Sequence, residues 1–214
     1  MDTKGRIMNK YDDQYYIVDE VYDDNTLYLK ALKKSANRDF EYKKMQSGDE
    51  PLFFENAYKK EDIATGSKKQ IKQSHMNGNF LLVSNDIRGK IKDIQSNGIQ
   101  LYPTVIIDDD ENFHDNFWLF NVFKKQDYID FDKSEIKRYD PKDDSHRVKK
   151  YCLSDEALDK VHEENRLIFK PSNTDIGFMF VHQKIVDIFN ELKVDNIKFY
   201  KVSEWKKGMQ FQEE

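Results

Sequence analysis

Hydrophobic and polar positions alternate most clearly between Ile99 and Phe123, which reads as two long β-strands joined by an acidic turn. Ile99, Leu101, Val105 and Ile107 occupy odd positions, the period of two that lines one face of a strand. Asp108, Asp109, Asp110, Glu111 and Asn112 then interrupt the apolar pattern as a turn does. Beyond the turn, Phe117, Leu119, Asn121 and Phe123 share one face, and Trp118, Phe120 and Val122 share the other. A strand apolar on both faces belongs in the middle of a sheet covered on both sides, which predicts that Trp118 and Phe120 are core residues. Pro103 has no N–H to give a neighbour, so it predicts an edge or a bulge in the first strand.

On either side of this hairpin the periodicity is shorter. Tyr15 to Val21 and Thr26 to Leu32 read as strands, with Asp23-Asp24-Asn25 as a hairpin turn between them, and Pro51 to Tyr58 as another strand. Lys59 to Asn79 is polar and contains Gly66 and Gly78, the composition of a mobile connection. Phe80 to Val83 reads as a buried strand. Ser84 stands at the N-cap of a helix carrying Ile87, Ile91 and Ile94, closed by Asn97-Gly98. Lys125 to Tyr139 reads as extended, Asp140 to Ser145 as a turn around Pro141, and Lys150 to Leu153 as a short strand. Ser154 caps a helix that turns Ala157, Leu158 and Val161 inward. Leu167 to Phe169 and Phe178 to Val181 follow as short strands, with the alternative that the second leads straight into a helix instead. That helix is Gln183 to Leu192, with Ile185, Ile188, Phe189 and Leu192 on one stripe. Ile197 to Val202 closes the series, with Trp205 packed against it. The pattern predicts an α+β fold: a strand-rich N-terminal part, and a mixed sheet-plus-helix C-terminal part built around the central hairpin. The matching division is 1–79, 80–205 and a flexible tail at 206–214.

Composition narrows the class. Charged residues make up 35% of the 214, but 12 Tyr and 15 Phe supply the apolar area for a real core. The net charge of −5 is spread through interspersed acids and lysines, not gathered into the basic face of a nucleic-acid binder. Cys152 stands alone, so no disulfide framework exists and a reducing compartment is expected. The first residues lack the apolar run of a signal peptide, and no apolar run is long enough to span a bilayer. The expectation is a cytoplasmic protein with no membrane partner.

Candidate chemistry is sparse. The five histidines include no His-x-x-x-His pair and no Cys–His cluster. Asp108, Asp110, Asn112 and His114 imitate the alternating ligands of a calcium loop. Phe113 stands where that loop needs glycine, however, and Leu119 where it needs glutamate, so no metal is expected. Cys152, between Tyr151 and Leu153, reads as a buried structural thiol, and no phosphate-binding glycine motif is present. No cofactor is expected. Asp130 and Asp132, two apart, would share a face of a strand and offer an acid–base pair, but nothing else in the chain completes a site.

Several segments in order carry a family resemblance. Phe80-Leu-Leu-Val-Ser84 leads into a helix, then come Gly98-Ile-Gln-Leu-Tyr-Pro-Thr-Val105 and Trp118-Leu-Phe-Asn-Val122. Tyr128-Ile-Asp-Phe-Asp-Lys-Ser134, Leu167-Ile-Phe-Lys170 and Lys201-Val-Ser-Glu-Trp205 follow. Over 80–205 this resembles the bacterial polymorphic-toxin immunity family numbered eleven, formerly a domain of unknown function; Lys170 stands where arginine is expected. The resemblance implies a non-enzymatic protein that binds a cognate toxin of its own cell lineage and neutralises it in competition between bacteria. It carries over no catalytic residues. The tip Asp108, Asp109, Asp110 and Glu111, with Phe113 and Phe117 as apolar anchors beside it, is then the candidate partner-binding site. Two other classes stand beside this one: an enzyme using Asp130 and Asp132, and an interaction module unrelated to toxins.

Overall fold

A computed structural model describes residues 9–41, 43–77, 80–94, 98–138 and 145–211. Its strands are β1 (Tyr15–Glu20), β2 (Leu29–Ala31), β3 (Leu52–Asn56), β4 (Ser74–Asn77), β5 (Phe80–Ser84), β6 (Ile99–Ile107) and β7 (Phe113–Val122). The C-terminal half adds β8 (Lys125–Gln126), β9 (Glu135–Arg138), β10 (Arg147–Lys150), β11 (Ile168–Pro171), β12 (Phe180–His182) and β13 (Ile197–Lys201). The helices are α1 (Lys33–Ala36), α2 (Lys59–Thr65), α3 (Asn85–Ile91), α4 (Asp155–Asp159) and α5 (Gln183–Glu191). The architecture is α+β and strand-rich.

The central hairpin forms as its alternation requires. β6 and β7 pair antiparallel from Ile99 opposite Val122 to Ile107 opposite Phe113, with a bulge between Thr104 and Ile106. They occupy the middle of a six-stranded sheet ordered β2-β3-β6-β7-β5-β4. Pairing of β6 with β3 begins at Thr104, so Pro103 lies just before that ladder and just ahead of the bulge, where a missing N–H costs nothing. Phe117 and Leu119 enter one core cluster, Phe120 and Val122 another, on opposite faces of the sheet. Trp118 is the exception to the expected burial. Its ring is half-exposed, roofed by the Arg88 guanidinium 3.8 Å from the ring centroid, and its Nε1–H donates to Asn85 Oδ1 at 2.7 Å. A strand's outer residue here is finished by a cation from α3 instead of by more core.

A second sheet of five strands runs β13-β1-β12-β11-β8, and β9 with β10 makes a separate two-stranded ribbon. The facing sides of the two large sheets share one cluster with α3 and α5, in which Val83, Ile87, Phe120, Val181, Ile185 and Phe189 are buried. The outer face of the five-stranded sheet holds a second cluster, completed by Trp205, Leu158 of α4 and Val148 of the ribbon. The outer face of the six-stranded sheet holds the third, including Leu27, Phe40, Phe54 and Phe117. α5 forms on the expected stripe, with β12 running straight into it and His182 Nδ1 accepting from Lys184 N–H at 3.2 Å at its start. Ser154 caps α4 as expected, accepting from Ala157 N–H at 3.2 Å.

Four further expectations are corrected. β1 and β2 do not form a hairpin: β1 lies between β12 and β13, and β2 edges the other sheet against β3. Asp23 causes the divergence, because Oδ1 accepts the N–H groups of Asn25 and Thr26 at 2.7 Å each, turning the chain away before a ladder begins. The polar stretch after Tyr58 is ordered: it supplies α2 and the edge strand β4, paired with β5. α3 stops at Ile91, with Gly89 weakening its last turn, and Gly98 instead opens β6 at φ +97°. Asp130 and Asp132 lie at a turn, not on a strand. The expected closure at Asn97 and the turn around Pro141 fall outside the described residues.

Candidate functional site

The acidic turn between β6 and β7 is organised by its first residue. Asp108 Oδ1 accepts the N–H groups of Asn112 at 2.8 Å and Asp110 at 3.0 Å, and Oδ2 accepts from Asn112 Nδ2 at 3.0 Å and His114 Nε2 at 2.9 Å. Partial burial pulls this carboxyl up, but the donors from His114 and Asn112 outweigh it and hold it down at about 2. The spacing that imitates a calcium loop is thus consumed by the turn's own donors. Glu111 sits at φ +64°, a left-handed position in the tip.

The four acids are not equally exposed. Asp108 and Asp109 are half-buried, and only Asp110 and Glu111 are exposed, Glu111 with Lys59 Nζ 3.8 Å from its carboxylate. Asp109 is turned inward onto Asn56, whose Nδ2 lies 2.9 Å from Oδ2 and 3.1 Å from Oδ1. The same amide nitrogen donates to Asp62 Oδ2 at 2.9 Å, and Asn56 Oδ1 accepts from Tyr58 N–H at 2.8 Å. Lys69 Nζ continues the chain of contacts, 3.5 Å from Asp62 Oδ1 and donating to the Asp24 carbonyl at 2.6 Å. A buried polar network therefore ties the tip, the start of α2 and the loop at Asp23–Asn25 into one rigid end of the six-stranded sheet. Between α2 and the tip is an open cleft of about 240 Å³ lined by Leu27, Ile63, Asp62, Lys69, Asp109 and Asp110, among others.

Of the two aromatic candidates, Phe113 is 67% exposed beside the tip, whereas Phe117 is only 3% exposed and packs on His75 with ring centroids 5.9 Å apart. Phe117 presents no ring to solvent, because β7 places it opposite Thr104 and Ser84, inside the sheet and four residues beyond Phe113. Sequence reasoning missed Asn56, Tyr22, Tyr58 and Ile63. A single apolar residue in a polar stretch carries no periodic signal, and Asn56 gains its partners only when α2 and the distant tip meet over it.

The other carboxylate candidates do not converge. Asp130 Oδ1 accepts from Lys133 N–H at 3.1 Å, Oδ2 lies 3.2 Å from Lys133 Nζ, and its carbonyl accepts from Ser134 Oγ at 2.7 Å. Asp132 is exposed. Asp130 is the lock of a turn and forms no pair with Asp132. Cys152 is buried, its Sγ 3.5 Å from Asp12 Oδ2, and burial keeps the Asp12 carboxyl above its ordinary range. Among the described residues no group of three or more His, Cys, Asp or Glu is placed to hold a metal ion. No described helix is long and apolar enough to cross a membrane.

Among curated proteins none matches the chain. A family model does, over residues 25–204. The match begins well before Phe80 and so takes in β2 to β4 as well as the segments from β5 onward that carry the sequence resemblance. With 180 of 214 positions covered, from β2 to the turn after β13, the chain belongs to the immunity protein family Imm11.

Proposed function

We propose that this protein binds a cognate protein toxin and neutralises it by forming a complex, catalysing no reaction itself. Family membership across residues 25–204 carries this reading. An inhibitor of this kind needs a stable scaffold and a complementary surface, not an activated nucleophile. The rigid tip is proposed to take part in the contact. Asp110 and Glu111 offer exposed negative charge that accelerates encounter with a basic partner, and Phe113 offers an apolar anchor. Asp108 and Asp109 hold that surface in place. An enzyme built on Asp130 and Asp132 has no support in their separate surroundings.

The test is co-expression with the toxin encoded beside the gene. Growth should be restored, and the two proteins should co-elute after mixing in purified form. A soluble, folded protein that neither protects cells nor binds the toxin would overturn the proposal. Changing Asp110 and Glu111 together to Lys tests the tip: association should slow and lose salt dependence, whereas unchanged kinetics would remove the tip from the contact.

A further inference from the structure

Five large hydrophobic side chains are strongly exposed among the described residues, and four of them gather at one end of the six-stranded sheet. Tyr22, Tyr58, Ile63 and Phe113 are 55–69% exposed. Tyr22 stacks on Tyr28 with centroids 6.0 Å apart, and Tyr28 meets Tyr58 edge-on at 6.3 Å. Tyr58 stands just before α2, Ile63 lies on α2 facing the cleft beside the tip, and Lys59 at the start of α2 is 3.8 Å from Glu111. The apolar side chains thus run from the end of β1, across the start of α2, to the tip between β6 and β7. Residue order alone gives no reason for this convergence; the sheet makes it.

The patch is held ready. The Tyr28 hydroxyl accepts from Asp23 N–H at 3.0 Å, which fixes the ring on which Tyr22 stacks. Tyr22 is bonded in turn to Glu20, a contact that, with some burial, pushes the phenol up to about 12. Rings fixed in this way lose little conformational entropy on binding, which is how exposed tyrosines become anchors. Exposing them without a partner costs the free protein solubility, so a patch of this kind marks an interface.

Charge identifies the partner's chemistry. Residues 19–25 carry four carboxylates and 108–115 carry five, with no lysine or arginine in either segment. Against these nine carboxylates, residues 59–70 bring four lysines: Lys59 is engaged by Glu111, Lys69 by Asp62, Lys68 lines the cleft and Lys60 is exposed, so the balance at this end stays acidic. A second copy of this chain would meet like charge here. A lysine- and arginine-bearing face meets opposite charge and tyrosine rings whose faces attract cations.

We infer that the toxin docks on the Tyr22–Tyr58–Ile63 patch and presents a basic surface to it. This deepens the immunity reading and rests on it. The experiment uses the full chain and an inactive form of its toxin. Tyr58→Ser with Ile63→Ser should weaken binding at least tenfold with an unchanged melting temperature, and wild-type affinity should fall steeply with salt. Phe211→Ser, the fifth exposed side chain, should bind as wild type. Hydrogen exchange on the unmutated complex, which needs no variant to fold, should show new protection at residues 21–28 and 57–66. Undiminished binding by the double variant, salt-independent affinity, or protection confined to other segments would each overturn the patch while leaving immunity intact. A wild-type chain that fails to bind the toxin removes the immunity reading and the patch with it.

Discussion

Two groups of aromatic rings in this protein use the same residue types to opposite ends. Beneath the five-stranded sheet, Trp205 meets Tyr151 at 5.1 Å and Phe178 at 5.4 Å between ring centroids, and its own exposure is 1%. At the end of the six-stranded sheet, Tyr22, Tyr28 and Tyr58 touch at similar ring distances, yet two of the three are mostly in water. Ring contact alone does not distinguish the groups. What differs is the cover: the first is roofed by α4 and the ribbon of β9 and β10, and the second by nothing among the described residues. The difference teaches that ring contact serves stability where it is roofed and, on the docking proposal above, readiness for a partner where it is not.

The comparison breaks first at Trp205. Trp205→Ala removes a fully buried ring and should cost about 3–5 kcal/mol, visible as a lower denaturant midpoint and poor soluble yield. A variant that stays as stable as wild type would show that this cluster is not the closed one.

The next largest effect is an acid effect in the other half. His75 is buried on β4, its Nδ1–H donating to the Leu27 carbonyl at 2.9 Å and its Nε2 accepting from Lys72 N–H at 3.1 Å. Both nitrogens are committed in the neutral ring, and burial lowers its pKa to about 4 from 6.5. Between those values the unfolded chain binds a proton that the folded chain refuses, so stability falls as pH drops from about 6.5 and levels off below about 4. The loss should be on the order of 3 kcal/mol. His75→Gln should flatten this part of the pH profile in denaturant titrations. An equally steep slope in the variant would assign the acid sensitivity elsewhere.

Asn56→Ala sharpens the comparison further. It leaves Asp62 and Asp109 without their shared donor and should cost about 1.5–3 kcal/mol, with faster hydrogen exchange confined to the tip and α2. Uniform loosening of both sheets would contradict a local network. The smallest effect is expected where the exposed rings are: Tyr22→Ser or Tyr58→Ser should change stability by no more than about 0.5 kcal/mol. A large loss at either would place these tyrosines in a core after all.

Elements whose stabilising partners lie nearby in sequence were legible from it. The central hairpin, the Ser154 cap and the stripe of α5 each carry their own period or cap, and each forms. β1 and β2 were legible as strands, but not as members of different sheets, because alternation says which side is buried and not against what. α2 and β4 were hidden in a polar stretch. Their stability comes from distant groups: Leu27 holds His75, and Asn196 bonds Ser74 through its side chain at 2.9 Å. The candidate site was half legible. Four consecutive acids announced a tip, but the inward turn of Asp109 depends on Asn56, and the burial of Phe117 depends on the depth of β7 in its sheet.

The place of β1 has a consequence for the order of events on the ribosome. Tyr15 pairs with His182 and Tyr16 with Lys201, so β1, an interior strand of the five-stranded sheet, is made early and partnered last. All six strands of the other sheet lie between Leu29 and Val122 and can pair while synthesis is still under way. Until β12 and β13 emerge, β1 carries two unpaired edges, an invitation to mispairing that long-range closure prolongs. A chain stalled after residue 150 would therefore already contain every strand of the six-stranded sheet, while β1 still lacked both its partners.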